Sequence, residues 1–100
     1  MKRAMISQPM RGLSEEEIRI NREAVVKELE EAGWTVVDTI FPEFDIRDIK
    51  NKSLTYLAKS IEIMSTCDGV YFMKGWTEVR GCIIEHMCCE KYGIFWSRKL

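Results

Sequence analysis

The run Gly69-Val70-Tyr71-Phe72-Met73 constrains this chain more than any other segment. A half-buried strand alternates apolar and polar residues, whereas this run is apolar throughout, as in strands buried on both faces of a parallel sheet. Such a strand needs helices above and below it, and the chain must supply them between its strands.

The remaining pattern supplies them in alternation. Arg3 to Ser7 reads as a first strand, ending at the loop Gln8-Pro9-Met10-Arg11-Gly12, whose proline cannot donate to a central ladder. Ser14-x-x-Glu17 is a capping box, and Ile18, Val25, Leu29 and Ala32 continue at helical spacing to a stop at Gly33. Trp34 to Asp38, rich in β-branched and aromatic residues, is the second strand. From Thr39 to Lys52 the pattern is irregular and charged, a long loop with room for a short helical turn. Asn51 or Ser53 can cap the second helix, in which Leu54, Leu57, Ala58, Ile61 and Met64 form one apolar stripe. Lys74 to Thr77 is the loop after the third strand. Arg80 to Tyr92 is the third helix, closed by Gly93, and Ile94-Phe95-Trp96 is the fourth strand.

Strands joined by helices pair in parallel through right-handed crossovers. The expected fold class is therefore α/β, an open parallel four-stranded sheet in the order 2-1-3-4, Rossmann- or flavodoxin-like, with strands one and three central. A chain of 100 residues fits one domain, 1–100, large enough to bury a core without disulfides. The formal net charge of −1 gives no basic footprint for nucleic acid. No apolar stretch reaches membrane-spanning length, and the N-terminus lacks a signal-peptide core, so no membrane partner and a cytoplasmic location are expected.

The 4 cysteines, at positions 67, 82, 88 and 89, form no CxxC pair and read as reduced, half-buried thiols. Cys82, His86 and Cys89 follow i, i+4, i+7 spacing, which could offer two thiols and an imidazole to zinc. No fourth ligand is evident, and cysteine commonly packs as a small apolar residue, so neither metal nor organic cofactor is expected.

In open α/β sheets of this kind the ligand crevice opens beyond the strand carboxyl ends, where connections leave to opposite sides. Ser7, Gln8, Met10, Arg11 and Gly12 would line it from the first loop, Gly75, Trp76, Arg80 and Gly81 from the third, and Asp38 from the second. Arg11 and Gly12, just before a helix start, suit an anion such as phosphate, although Arg11 could equally be a plain surface arginine. Asp38 could hold ribose hydroxyls or simply end its strand. Trp76 could stack on a base or plug the core. Arg80 could neutralise a ligand anion or pair with Glu78 or Glu85. Ile83, Ile84, Met87 and Cys88 suggest a packed stripe on the third helix, with Glu85 turned from it toward the crevice mouth. A carboxylate there could attack or stabilise an electrophilic sugar carbon; the plainer alternative is a solvated helix glutamate.

Met5-Ile6-Ser7-Gln8-Pro9-Met10-Arg11-Gly12, together with Cys67-Asp68-Gly69-Val70-Tyr71-Phe72, Gly75-Trp76 and Arg80-Gly81-Cys82-x-x-Glu85-His86, resembles the nucleoside 2-deoxyribosyltransferase-like superfamily, particularly its small bacterial and phage members. The resemblance spans nearly the whole chain. It implies that Glu85 attacks the anomeric carbon of a nucleoside or its monophosphate, that Arg11-Gly12 meets the phosphate, and that Gly81 lets the sugar approach. Ser60 stands where those enzymes carry an acid, Met5 where they carry tyrosine and Gln8 where they carry glycine. Two functions follow as expectations: N-glycosidic cleavage or transfer by Glu85, or a nucleotide- or metabolite-binding module without turnover. Exposed sheet edges and the resemblance both imply a homodimer or higher homo-oligomer.

Overall fold

A computed structural model describes residues 2–39 and 48–98. The elements are β1 (Lys2–Ser7), α1 (Glu15–Glu31), β2 (Trp34–Val37), α2 (Lys52–Met64), β3 (Gly69–Phe72), α3 (Arg80–Tyr92) and β4 (Phe95–Arg98), with one 3-10 turn at Trp76–Glu78. All three strand pairings are parallel and the order is β2-β1-β3-β4, as the alternation of strand and helix predicts. Of the irregular segment expected from Thr39 to Lys52, residues 40–47 lie outside the described residues.

Side chains of successive strand residues point to opposite faces, and this divides the core in two. Ala4 and Ile6 of β1 join Tyr71 of β3 beneath Val25 and Leu29 of α1. Met5, Val70 and Phe72 point to the other face and meet Met64 of α2 and Cys89 of α3. All four residues of β3 are buried, as its unbroken apolar run requires. Gly69 admits two rings over it: a Cβ there would stand 3.1 Å from both Trp34 and Phe95, which stack with centroids 6.2 Å apart.

The capping signals act where the sequence puts them. Ser14 Oγ accepts from the Glu17 amide at 3.1 Å and starts α1. Asn51 is the cap of α2, its side chain accepting from the Leu54 amide at 2.9 Å, while Ser53 lies inside the helix.

Two apolar stripes need correction. In α3 the buried residues are Cys82, Glu85 and Cys89, and Ile83 and Met87 are 41% and 53% exposed. Cys89 packs against Met5, Met64, Val70 and Phe72, so the helix turns that side to the sheet and the opposite side, with Ile83 and Met87, outward. In α2, Met64 is buried but Leu54 is 60% exposed. The C-terminal end of that helix reaches the core, and its first half borders a cavity.

Candidate active site

The cavity, about 770 Å³, lies beyond the carboxyl ends of β1 and β2. Ile6, Gln8, Met10 and Arg11 form one wall, and Glu15, Ile18 and Arg19 come from the first two turns of α1. Thr39 follows β2. Ser53, Tyr56, Leu57 and Ser60 descend from α2, and Val79, Gly81, Cys82 and Glu85 come from the start of α3. Volumes of roughly 300–1,000 Å³ suit small-molecule ligands. The loops after β1 and β3 are held together at the rim, since the Met73 amide donates to the Ser7 carbonyl at 3.1 Å.

Glu85 is the chemical centre of this wall. It is only 8% exposed, yet it borders the cavity. The Ser7 hydroxyl donates to its Oε1 at 2.8 Å, a buried bond joining the end of β1 to α3. Burial disfavours the charged form and pushes the Glu85 carboxyl up to about 7, while the Ser7 hydroxyl, bonded to the ionised form, pulls part of that shift back. A carboxyl with a pKa near 7 exists in both protonation states around neutrality, the property required of a group that exchanges protons or attacks as an anion.

The expected site residues do not all converge. Gln8, Met10, Arg11, Gly81 and Glu85 border the cavity, and Ser7 lies behind the wall, bonded to Glu85. Gly12 lies in the exposed turn before α1, and Arg80 is exposed at the first position of α3; neither is in the wall. Asp38 is exposed beside Arg22, Oδ1 to Nη2 at 3.8 Å, and its neighbour Thr39 borders the cavity instead. Gly75 sits against the Pro9 ring, 3.7 Å from where a Cβ would stand.

Trp76 enters an aromatic cluster outside the cavity wall. Its ring centroid is 4.4 Å from that of His86 and 5.2 Å from that of Phe72. His86 also meets Trp96 at 4.3 Å, and its Nδ1 lies 3.1 Å from Glu90 Oε1. The three residues at zinc-like spacing therefore have different surroundings: Cys82 at the cavity, His86 among rings, Cys89 in the core. Burial raises the thiol pKa of Cys82 and carries that of Cys89 to about 12. Among the described residues no cluster of three or more histidine, cysteine, aspartate or glutamate side chains could hold a metal ion.

Sequence reasoning missed Ile6, Glu15, Ile18, Arg19, Thr39, Ser53, Tyr56, Leu57 and Cys82 as wall residues. Tyr56 and Ser60, four apart on α2, share one side of that helix, and this spacing was the available signal.

The fold and site define an α/β protein with a carboxylate-bearing crevice at the carboxyl end of a parallel sheet. The chain belongs to the family described as a domain of unknown function, DUF4406, matched over residues 2–95. No curated protein matches it.

Proposed function

We propose that the protein cleaves or transfers the N-glycosidic bond of a nucleoside or nucleotide, with Glu85 as nucleophile. The observation that carries this reading is one buried, Ser7-bonded carboxyl with a pKa near 7 beside a cavity of about 770 Å³. Ionised Glu85 forms a bond to the anomeric carbon as the carbon–nitrogen bond breaks. The departing base keeps the bonding pair and takes a proton from water. Water, or a second base, then attacks the same carbon, gives up its proton to the hydroxide left by the first step, and releases Glu85 as the carboxylate. Arg11, exposed at the cavity rim, supplies a planar cation for a phosphate. The likeness to nucleoside 2-deoxyribosyltransferase-like enzymes supports the same assignment and remains part of the proposal, as do a cytoplasmic location and a small-molecule partner.

Incubation with nucleosides and their monophosphates, in both sugar series, should release free base, and Glu85→Gln should abolish the release. No release across that panel overturns the reading.

A second reading rests on Ser60, which borders the cavity where a proton-donating acid would assist departure of the base. A hydroxyl is too weak an acid for that role at neutral pH, so the crevice would serve binding without turnover. Nucleotide-induced thermal stabilisation that persists in Glu85→Gln, without base release, would establish it.

The proposed assembly is a homo-oligomer, because Leu54, Ile83, Met87, Tyr92 and Phe95 are exposed large apolar residues that a second copy could cover. Light scattering on the purified chain tests it, and a monomer mass at working concentration overturns it. Among the described residues no helix is long and apolar enough to cross a membrane.

A further inference from the structure

The outer side of α3 serves neither the cavity nor the core. Arg80, Ile83, Met87 and Glu90 are exposed, and their i, i+3, i+7, i+10 spacing puts them in one stripe along the helix. Cys82, Glu85 and Cys89 take the buried side. Two large apolar side chains, Ile83 and Met87, stand in the middle of the stripe. A cation brackets them at one end and a carboxylate at the other.

These two charges do not answer each other. At the helical rise per residue, Arg80 and Glu90 stand about 15 Å apart along the axis, too far for an ion pair and beyond a Debye length at physiological salt. α1 has the other arrangement: Arg19 meets Glu16 and Glu23 of its own helix, both at 2.6 Å. The Arg80 side chain has no ion-pair partner among the described residues. Glu90 meets His86 Nδ1 through Oε1, and a carboxylate has a second oxygen to offer.

We infer that this stripe is the interface of a two-fold dimer, and that its occupant is the same stripe of a second copy, running antiparallel. Arg80 lies three residues before Ile83, and Glu90 three residues after Met87. The register that sets Ile83 on Met87 of the second copy therefore also sets Arg80 against its Glu90. The two-fold repeats both contacts, giving two apolar pairs flanked by two ion pairs. A parallel pairing would set arginine against arginine and glutamate against glutamate, so the charges select the direction. A contact this narrow is at the small end for stable interfaces, and the dimer should come apart on dilution. The inference rests on the proposed homo-oligomer and names its surface; it is independent of the N-glycosidic chemistry. The inner side of the same helix carries Cys82 and Glu85 of the cavity wall, so the second copy backs that wall in each crevice.

Sedimentation velocity over a concentration series tests this on the wild-type chain, Arg80→Glu, Glu90→Arg, the double exchange and Ile83→Asp. All three positions are exposed, so the substitutions leave the core untouched. The wild type should pass from monomer to dimer as concentration rises. Each single charge exchange sets like charges opposite each other twice and should raise the dimer Kd at least about tenfold, as should Ile83→Asp. The double exchange restores opposite charges at both ends and should return the Kd to within about threefold of the wild type. An assembly that the single exchanges and Ile83→Asp leave unchanged uses another surface, which overturns the inference but keeps the homo-oligomer. Failure of the double exchange to recover the dimer overturns the antiparallel pairing and with it the inference. A monomer throughout the wild-type series overturns the inference and the proposed homo-oligomer together.

Discussion

The helices α1 and α3 both begin at the crevice, and their first turns are built in opposite ways. Ser14 caps α1, and Glu15, Glu16 and Glu17 follow it, so side chains answer both its free amides and its positive dipole end. α3 begins behind Val79 with no side-chain cap and no acidic residue in its first turn. Its first carboxylate is Glu85, buried against the cavity. The α1 start is finished as a piece of folding, while the α3 start has no side-chain cap and precedes Glu85, the carboxyl among the described residues whose charge burial makes costly. A helix end that is well capped contributes stability; one left open beside a cavity keeps its polarity for a ligand.

The largest expected effect lies at α3. Glu85→Gln keeps the size of the side chain and an acceptor for the Ser7 hydroxyl but removes the proposed nucleophile. Base release should fall on the order of 10³-fold or more. Retained release in Glu85→Gln would assign the chemistry to another residue and erase the functional half of the contrast.

The same residue sets a pH dependence with opposite signs for stability and activity. Glu85 moves from an ordinary value of 4.5 to about 7 in the folded chain. The folded state thus holds the proton more tightly, and the stabilisation this brings is complete below pH 4.5 and lost as pH rises through 7. At about 1.4 kcal/mol per unit, the loss amounts to ~3 kcal/mol. Base release should rise over the upper part of that interval, as the carboxylate forms. Denaturant unfolding at pH 5 and pH 8 measures the first effect, and Glu85→Gln should flatten the difference by that amount. An unchanged pH difference in Glu85→Gln would place the titration elsewhere.

Ser7 joins the end of β1 to α3, and its removal has an intermediate effect. Its hydroxyl donates to the carboxylate, so Ser7→Ala should raise the Glu85 pKa further and move the midpoint of the pH–rate profile upward. Hydrogen bonds to charged groups contribute ~1.5–3 kcal/mol, and about one pH unit of displacement is expected. A profile that keeps its midpoint while losing rate would make Ser7 a packing residue only.

The contrast also shows what could be seen in the sequence. The order of the sheet followed from one unbroken apolar run and from helices lying between the strands, because burial on two faces and crossover handedness leave few alternatives. The α1 start was equally visible, since a capping box is local chemistry within four residues. The α3 start was not. Ile83, Ile84, Met87 and Cys88 gave an apolar stripe at helical spacing, but the helix buries Cys82, Glu85 and Cys89. Periodicity shows that a helix has a side and does not say which neighbour will claim it. Leu57 on α2 makes the same point: an apolar residue in register can border a cavity as readily as a core. Gln8 was visible as a loop residue, while the bond its Nε2 donates depends on where the Ile18 carbonyl falls in three dimensions.

The smallest effect tests the α1 half. Ser14→Ala removes the acceptor of the Glu17 amide, and Glu17 loses the hydroxyl that donates to its Oε1 at 3.0 Å. Loss of such a cap costs about 1 kcal/mol, which lowers the melting temperature of a chain this size by roughly 4–8 °C. Base release, measured well below that temperature, should be unchanged, because Ser14 is not in the cavity wall. A fall in kcat/KM with the melting temperature preserved would mean that the α1 start takes part in binding. The division between a structural and a functional helix start would then be wrong at its first term, since a capped amide would have been serving the ligand as well as the fold.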